Sequence, residues 1–316
     1  MPSAEVILQS IVSGIMIGSV YGLMCVGLSL IFGIMRVINF AQGEFLMLGM
    51  YAALFMIPAV AGVLAGGAVL TAILAALATG PLLFALGYLL HATMLRPLSR
   101  VHSYAGEAKA QQSQFIITLG ISIALQNACT IAFGSDVRSI RTPLSSTAWA
   151  LNIPFTEDGM VFLNQARVVT FIAGALFAVA LHYLINVTWL GKTLRATADN
   201  PIAATYMAIN VDRVHRLAFA LGTAITAVAG ALVALQYPFQ PYVGLDFVIV
   251  MYTGVVLGGM GSIMGAFWGG MAIGIIQQCS TLLLPNQLQN VAIFVVFIAI
   301  LLVRPQGFFG RSTERT

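Results

Sequence analysis

The chain has 316 residues, of which 59% are hydrophobic and 8% charged, with a mean hydropathy of +0.96 and a net charge of +4. A soluble domain carries about 25% charged residues, so most of this surface must be wetted by lipid, which excludes a water-soluble enzyme and a nucleic-acid binder. About 20 apolar residues cross a hydrocarbon core, so the length allows about eight to ten spans and no separate soluble domain.

The predicted elements follow in chain order. Residues 1–5 hold Glu5 and no Lys or Arg. The apolar run from Val6 to Met35 is longer than the apolar core of a secretory signal, and no small-residue cleavage site ends it, so it reads as an uncleaved first span. Further apolar runs lie near 45–65, 68–94, 114–133, 166–187, 217–237, 247–260, 262–284 and 288–303. The run 247–260 is short and ends in Gly258-Gly-Met-Gly-Ser262, a glycine cluster expected to break a helix inside the membrane. The expectation is an all-α polytopic membrane bundle of about nine spans, forming one transmembrane domain over 1–316. Cys25, Cys129 and Cys279 fall in apolar stretches and read as small buried side chains, with neither metal nor disulfide spacing.

Basic residues mark cytoplasmic loops. Loop 95–113 carries Arg96, Arg100 and Lys109, loop 188–216 carries Lys192, Arg195, Arg213 and Arg216, and the tail carries Arg304, Arg311 and Arg315. The number of runs between them is consistent with all three on one side. The N-terminus is then outside and the C-terminus cytoplasmic. The segment 134–165, with Asp136, Arg138, Arg141, Glu157 and Asp158, is an external loop able to meet a partner.

Several motifs stand out. Gly14, Gly18 and Gly22, and again Gly261, Gly265 and Gly269, recur at four-residue spacing, which makes a smooth helix face for close backbone approach. Each set reads as a helix–helix seam, within the subunit or with a second one. Gly191-Lys192-Thr193 invites a nucleotide-binding reading, but a phosphate loop needs a glycine five residues earlier, where Asn186 stands, and a strand leading in. The chain is therefore expected to bind no ATP, metal or other cofactor. Asn186-Val187-Thr188 is a glycosylation pattern on the wrong side of the membrane.

In the loop 188–214, Asp199 or Asn200 suits a helix cap and Pro201 the first helical position. Ala203 follows inside the helix, and Ile202, Tyr206 and Ile209 are expected on one face of about two turns. Asn210 closes this segment, and Asp212 and Arg213 follow as polar flanks. Such a capped apolar stripe suits a groove on a partner; the alternative is an interfacial helix lying on lipid. Arg36-Val-Ile-Asn-Phe-Ala-Gln-Gly-Glu44 interrupts two apolar runs. Its Asn39, Gln42 and Glu44 either line a substrate route, as polar groups at membrane depth do, or form an interfacial turn. Asp246 and His182 read as structural residues rather than a proton relay. No arrangement of Ser, His and Asp suggests catalysis.

Gly27-Leu-Ser-Leu-Ile-Phe-Gly-Ile34 followed by Ile38-Asn-Phe-Ala-Gln-Gly-Glu44 resembles the signature of permease subunits from branched-chain amino acid ABC importers. So do Arg96-Pro97-Leu98, Leu125-Gln-Asn127, the 191–214 loop, Leu257-Gly-Gly-Met-Gly-Ser-Ile-Met-Gly265 and Arg304-Pro-Gln-Gly307. The first of that family's two permease types is the closer fit. Two positions depart from the pattern: the family usually has His at Gln42 and Gly at Ala208. The first bears on substrate, since related permeases carry urea or short amides. The second removes a natural left-handed cap, so the coupling helix is expected to end differently.

The resemblance implies a transport subunit, not an enzyme, in a bacterial-type inner membrane. It implies a second permease subunit of related but different sequence, two cytoplasmic ATPase subunits that use the ATP, and an external substrate-binding protein. Residues 199–210 would be the coupling helix. A secondary transporter or a channel is the rival of another class; the first needs midplane acids or a sodium site, and the second needs no cytoplasmic lever.

Overall fold

The computed structural model describes residues 4–63, 67–97, 104–152, 160–285, 288–304 and 306–310. Leu98, Arg100, Glu157, Asp158, Pro305, Arg311 and Arg315 lie outside the described residues.

Each apolar run carries a helix. They are α1 (Ala4–Met35), α2 (Gln42–Val63), α3 (Ala68–Leu90), α4 (Tyr104–Phe133), α6 (Gln165–Val187), α9 (Val211–Val233), α10 (Val243–Gly258), α11 (Ile263–Ser280) and α12 (Gln289–Val303). Shorter helices α5 (Pro143–Ser146), α7 (Trp189–Asp199) and α8 (Pro201–Tyr206) sit in the connections. Six helical segments are long and apolar enough to cross a membrane: Glu5–Met35, Gln42–Val63, Ala68–Leu95, Gln112–Phe133, Gln165–Val187 and Val211–Val233. The helices α10, α11 and α12 are shorter, at 16, 18 and 15 residues.

The bundle is organised around α1. Its sequence is apolar all round, the pattern of a helix buried on every side, and 83% of its spanning window is buried. It packs against α11, α9, α6 and α10, while α9 forms a second hub against α3, α1 and α2. The outer helices turn large side chains outward, among them Ile116, Ile123 and Ile131 on α4 and Leu176 and Val179 on α6. With no water to repel them, such faces are at ease against lipid or another apolar helix.

Glycine sets the α1–α11 distance. A Cβ on Gly18 would come within 2.6 Å of the Met271 carbonyl oxygen, and one on Gly274 within 2.4 Å of the Gly18 Cα. Gly14 and Gly22 meet Ile275 and Phe267 along the same seam. The second set divides. Gly265 and Gly269 face the α10 backbone, at Gly258 and Gly254, not α1. Gly261 lies outside the helix, at φ +86 in the turn between α10 and α11. Four-residue spacing therefore overstated that set as one face: α11 starts only at Ile263, after Gly259 (φ +101) and Gly261 reverse the chain.

Two further departures concern connections. The segment 134–165 is not a plain loop: β1 (Ala148–Asn152) and β2 (Met160–Asn164) pair antiparallel, with Ala148 opposite Asn164 and Asn152 opposite Met160. The otherwise all-α bundle thus carries a small hairpin, whose apolar stretches are too short to register as runs. Asn164 then caps α6, its Oδ1 accepting from Ala166 N at 2.9 Å. The Gln9 side chain ties the hairpin to α1, accepting from Phe162 N and donating to Phe162 O. The loop 95–113 is shorter than expected, because α3 ends in a π turn (His91–Leu95) and α4 begins at Tyr104.

Candidate functional site

Arg36, Arg96, Lys192, Arg195, Arg213 and Arg216 gather at one end of the bundle, whereas Arg138, Arg141 and Arg167 lie toward the other, beside the hairpin. Arg96 Nε stands 3.7 Å from Asp212 Oδ2, and the Arg216 guanidinium lies 5.2 Å over the Tyr88 ring, which brings the end of α3 to the start of α9. The tail joins them, with Phe308 N and Phe309 N donating to Leu257 O and Gly258 O at the foot of α10. The β hairpin and the first turns of α1 occupy the opposite end.

At the basic end the chain between α6 and α9 folds into two helices. Thr188 ends α6 and caps α7, accepting from Gly191 N at 3.2 Å. Gly191 makes the reversal possible: a Cβ there would come 2.0 Å from Ile185 O. Arg195 donates to both the side-chain and backbone oxygens of Asn186, at 3.1 Å each. The Gly-Lys-Thr and Asn-Val-Thr patterns thus serve the α6–α7 corner.

Asn200, not Asp199, caps α8, its Oδ1 accepting from Ile202 N and Ala203 N at 3.0 Å each. Pro201 takes the first position and needs no donor there. The helix has only six residues, so the expected two-turn stripe is not formed. Ile202 and Tyr206 are exposed at 62% and 84%, and the third exposed apolar residue is Met207 at 77%. Ile209 has turned inward and packs beside the core. The reason is the helix end. Ala208 N donates to Thr205 O and Ile209 N to Ala204 O, both at 3.0 Å, with Ala208 left-handed at φ +58. This is the Schellman pattern usually built on glycine, so the alanine does not alter how the helix ends. Asn210 belongs to the next element: it caps α9 by accepting from Arg213 N at 3.0 Å.

The polar turn 36–44 sits between α7 and the bundle interior. Arg36, itself left-handed at φ +54, reaches the Ala198 carbonyl at the end of α7. Asn39, Gln42 and Glu44 are all buried. Asn39 Nδ2 donates to Gln42 Oε1 at 3.0 Å, and its Oδ1 accepts from Ala41 N at 3.1 Å. Gln42 Nε2 donates to Gly222 O and to Thr226 Oγ1 on α9. Glu44 Oε1 accepts from Ser122 Oγ on α4 at 3.2 Å, while its Oε2 is buried with no hydrogen bond. Gly244, in the first turn of α10, lies directly over that carboxylate. Asn39, Gln42 and Glu44 therefore form a buried junction of α2, α4, α9 and α10, while Arg36 and Ile38 at the start of the turn are exposed.

The family model described as the permease component of the branched-chain amino acid transport system matches residues 10–302. The permease protein BraD of a Pseudomonas aeruginosa high-affinity branched-chain amino acid transport system is 32% identical over 98% of each chain. The corresponding LivH of Escherichia coli K12 is 32% identical over 96% of each.

The chain belongs to the branched-chain amino acid transport permease family.

A more distant similarity extends to a Haemophilus influenzae ribose import permease, 28% identical over 61% of each chain. No solved structure matches the chain. In this family member the quoted signature runs along the inner surfaces of the fold. Gly27 abuts Thr226 on α9, and a Cβ there would come 2.3 Å from its hydroxyl. Gly33 meets Gly261 in the α10–α11 turn. His182 is exposed and pairs with Asn186 one turn on, whereas Asp246 is exposed in the first turn of α10. Met207 escaped the sequence reading because it was placed inside a longer helix, where i+3 and i+4 spacing favours Tyr206 and Ile209. Among the described residues no group of three or more His, Cys, Asp or Glu is placed to hold a metal.

Proposed function

We propose that this chain is the translocation subunit of an ATP-driven importer for branched-chain or similar aliphatic amino acids, and that α8 is the lever on which separate ATPase subunits push. The observation that carries this reading is the exposure of Ile202, Tyr206 and Met207 on a short, doubly capped helix. An exposed apolar cluster at the polar end of the bundle marks a contact surface for a partner or the membrane, and the tight caps that hold this one favour a partner. Aromatic anchors set in a partner's pocket supply much of an interface's binding energy. The chain itself uses no ATP and works with a second permease subunit and an external binding protein.

The coupling follows from the contacts. ATP binding draws the ATPase subunits together and displaces α8. The short α8 leans on α7, whose Ala198 carbonyl accepts from Arg36, and Arg36 begins the turn bonded to α9 and α4. A push at the basic end therefore reaches the junction of α2, α4, α9 and α10 through rigid elements, which rocks the bundle between two accesses. In this reading the basic end is cytoplasmic, the N-terminus is external, and the six long helices and the shorter α10, α11 and α12 together make about nine crossings. Asn39, Gln42 and Glu44 face the route only when the junction opens.

The test is reconstitution with the ATPase subunits. Ile202→Asp and Tyr206→Ala should each leave a folded, membrane-inserted permease that retains at most about a tenth of the ATPase and imports correspondingly less. Full import by both variants would mean that α8 rests on lipid, and the lever reading would be abandoned.

A further inference from the structure

At the foot of α6 the chain turns at Thr188 into α7, beside a face suited to lipid. Ile172, Leu176, Val179, Tyr183 and Val187 are exposed on α6, at the spacing of one helical strip. Apart from the Tyr183 hydroxyl the strip is apolar, and Trp189 follows it at the start of α7 with 78% of its surface exposed. Tyrosine and tryptophan at the end of an apolar strip mark the level of lipid headgroups. Polar groups are built around the same corner. Asn186 Nδ2 lies 2.9 Å from His182 Nδ1, and the Asn186 side-chain and backbone oxygens both accept from Arg195. This fixes the guanidinium and leaves its other donors for a ligand. Lys192 is exposed one turn earlier, on the α7 face that carries Trp189 and Arg195, opposite the buried Gly191, Leu194 and Thr197. Among the described residues neither cation forms an ion pair. The acid of that face, Asp199, lies a turn beyond Arg195, at the α8 end.

A fixed guanidinium and a flexible ammonium at the end of an apolar strip call for a ligand with acceptor oxygens, negative charge and a long hydrocarbon chain. A water-soluble anion would leave the strip unused. Phosphatidylcholine brings a phosphate, but also a trimethylammonium that two unpaired cations repel. We infer that the α6–α7 corner is a binding site for an anionic phospholipid of the leaflet at the basic end. The phosphodiester sits between Arg195 and Lys192, and Trp189 lies at the glycerol level. An acyl chain runs up α6 past Tyr183, Val179 and Leu176. Asn186, itself held by His182, is a positioning residue that seats the arginine. The site goes beyond the transport reading and does not depend on what the chain carries.

The test uses the full chain with Trp149→Phe and Trp268→Phe, which leave Trp189 of the three tryptophans. The protein is placed in phosphatidylcholine vesicles that carry a small fraction of lipid brominated on the acyl carbons nearest the headgroup. Bromine quenches a fluorophore only on contact. Brominated phosphatidylglycerol should quench Trp189 as though enriched about fivefold at the site, the selectivity of one basic residue at an anionic surface. Brominated phosphatidylcholine should quench as its bulk fraction dictates. Lys192→Gln with Arg195→Gln should abolish the enrichment. Asn186→Ala keeps both charges but unseats the guanidinium, and should lower the enrichment about twofold. Arg213→Gln, which removes an exposed cation elsewhere at the same end, should leave it unchanged, as should an excess of water-soluble glycerol phosphate.

Equal quenching by the two lipids overturns the inference. So does the absence of quenching by either, because the corner would then be open to water or covered by protein. An unchanged enrichment in the paired glutamine variant or in Asn186→Ala overturns it too. An equal loss in Arg213→Gln would make the preference one of diffuse surface charge, and release by glycerol phosphate would make this a phosphate site without the lipid; either result also overturns it. Size-exclusion chromatography checks that each variant is folded. Should the paired variant aggregate, Lys192→Gln alone carries the test, since Lys192 is exposed and makes no ion pair among the described residues.

Discussion

Ala208 is an alanine doing what a glycine usually does. Its φ of +58 sets Cβ against the neighbouring backbone, at roughly 1–2 kcal/mol for an L-residue. The two hydrogen bonds of the helix end hold it there. Ala208→Gly should remove that strain, offset in part by the greater freedom of glycine in the unfolded chain, leaving a gain of up to about 1 kcal/mol. A thermal melt of the purified permease measures it, and an unchanged or lower midpoint would mean that the strain is not there. Gln42 presents the opposite situation, a buried amide with its partners satisfied. Gln42→Leu leaves Asn39, Gly222 and Thr226 each short of a partner, at about 1–3 kcal/mol per unsatisfied buried group. Gln42→His keeps a ring nitrogen for hydrogen bonding and should lose less. Chemical denaturation in mild detergent ranks the three proteins, and equal stability of the leucine and histidine variants would show that the bonds to α9 contribute little.

For elements, the decisive quantity is how near two helix axes come. On the α1–α11 seam the backbones touch, so a Cβ at Gly18 has only carbonyl and Cα atoms of Met271 to displace. Those atoms belong to a rigid helix and cannot swing away. Gly18→Val should therefore part the helices and sharply lower the yield of folded protein. Gly62, near the end of α2, has nothing within 4 Å of a built Cβ, so Gly62→Ala should be neutral or slightly stabilising through helix propensity. Fluorescence-detected size-exclusion chromatography of the two variants separates the cases: similar profiles would refute the seam as a determinant of packing. The short helix α8, the proposed lever, follows a different rule. Its six residues could not hold a helix alone; the caps at Asn200 and Ala208 and the inward turn of Ile209 hold it, which leaves Ile202, Tyr206 and Met207 free to meet a partner.

At the scale of the whole molecule the bundle has two chemically different ends. One holds Arg36, Arg96, Arg195, Arg213 and Arg216 with α7 and α8; the other holds the hairpin and a cleft lined by Tyr237, Asp246 and Gln277, with Arg138, Arg141 and Arg167. In the proposed orientation, based on the bias of basic residues toward the cytoplasm, the first end faces inward. Single cysteines at Ser146 and Thr205, both exposed, should then label from opposite sides of intact cells and inverted vesicles. Ser146 is preferred to Ser145, whose hydroxyl is engaged in the cap of α5. Labelling of both from the same side would overturn this topology.

The sequence alone determined the solvent, the helices and the family. Apolar runs of spanning length leave the backbone no option but to satisfy its own hydrogen bonds, and the signature segments could be read residue by residue. Asn200 and Pro201 were legible as a helix start, because caps act over three or four residues. Only the tertiary structure decided which helices become neighbours. It assigned Gly265 and Gly269 to α10 and Gly270 and Gly274 to α1, and it buried Asn39, Gln42 and Glu44 in a junction where the sequence offered a pathway or a surface turn. It also ended α8 at Tyr206 and placed Asp246, Gln277 and Tyr237 around one cleft. These outcomes depend on contacts between residues far apart in the chain, whose partners no local period can name.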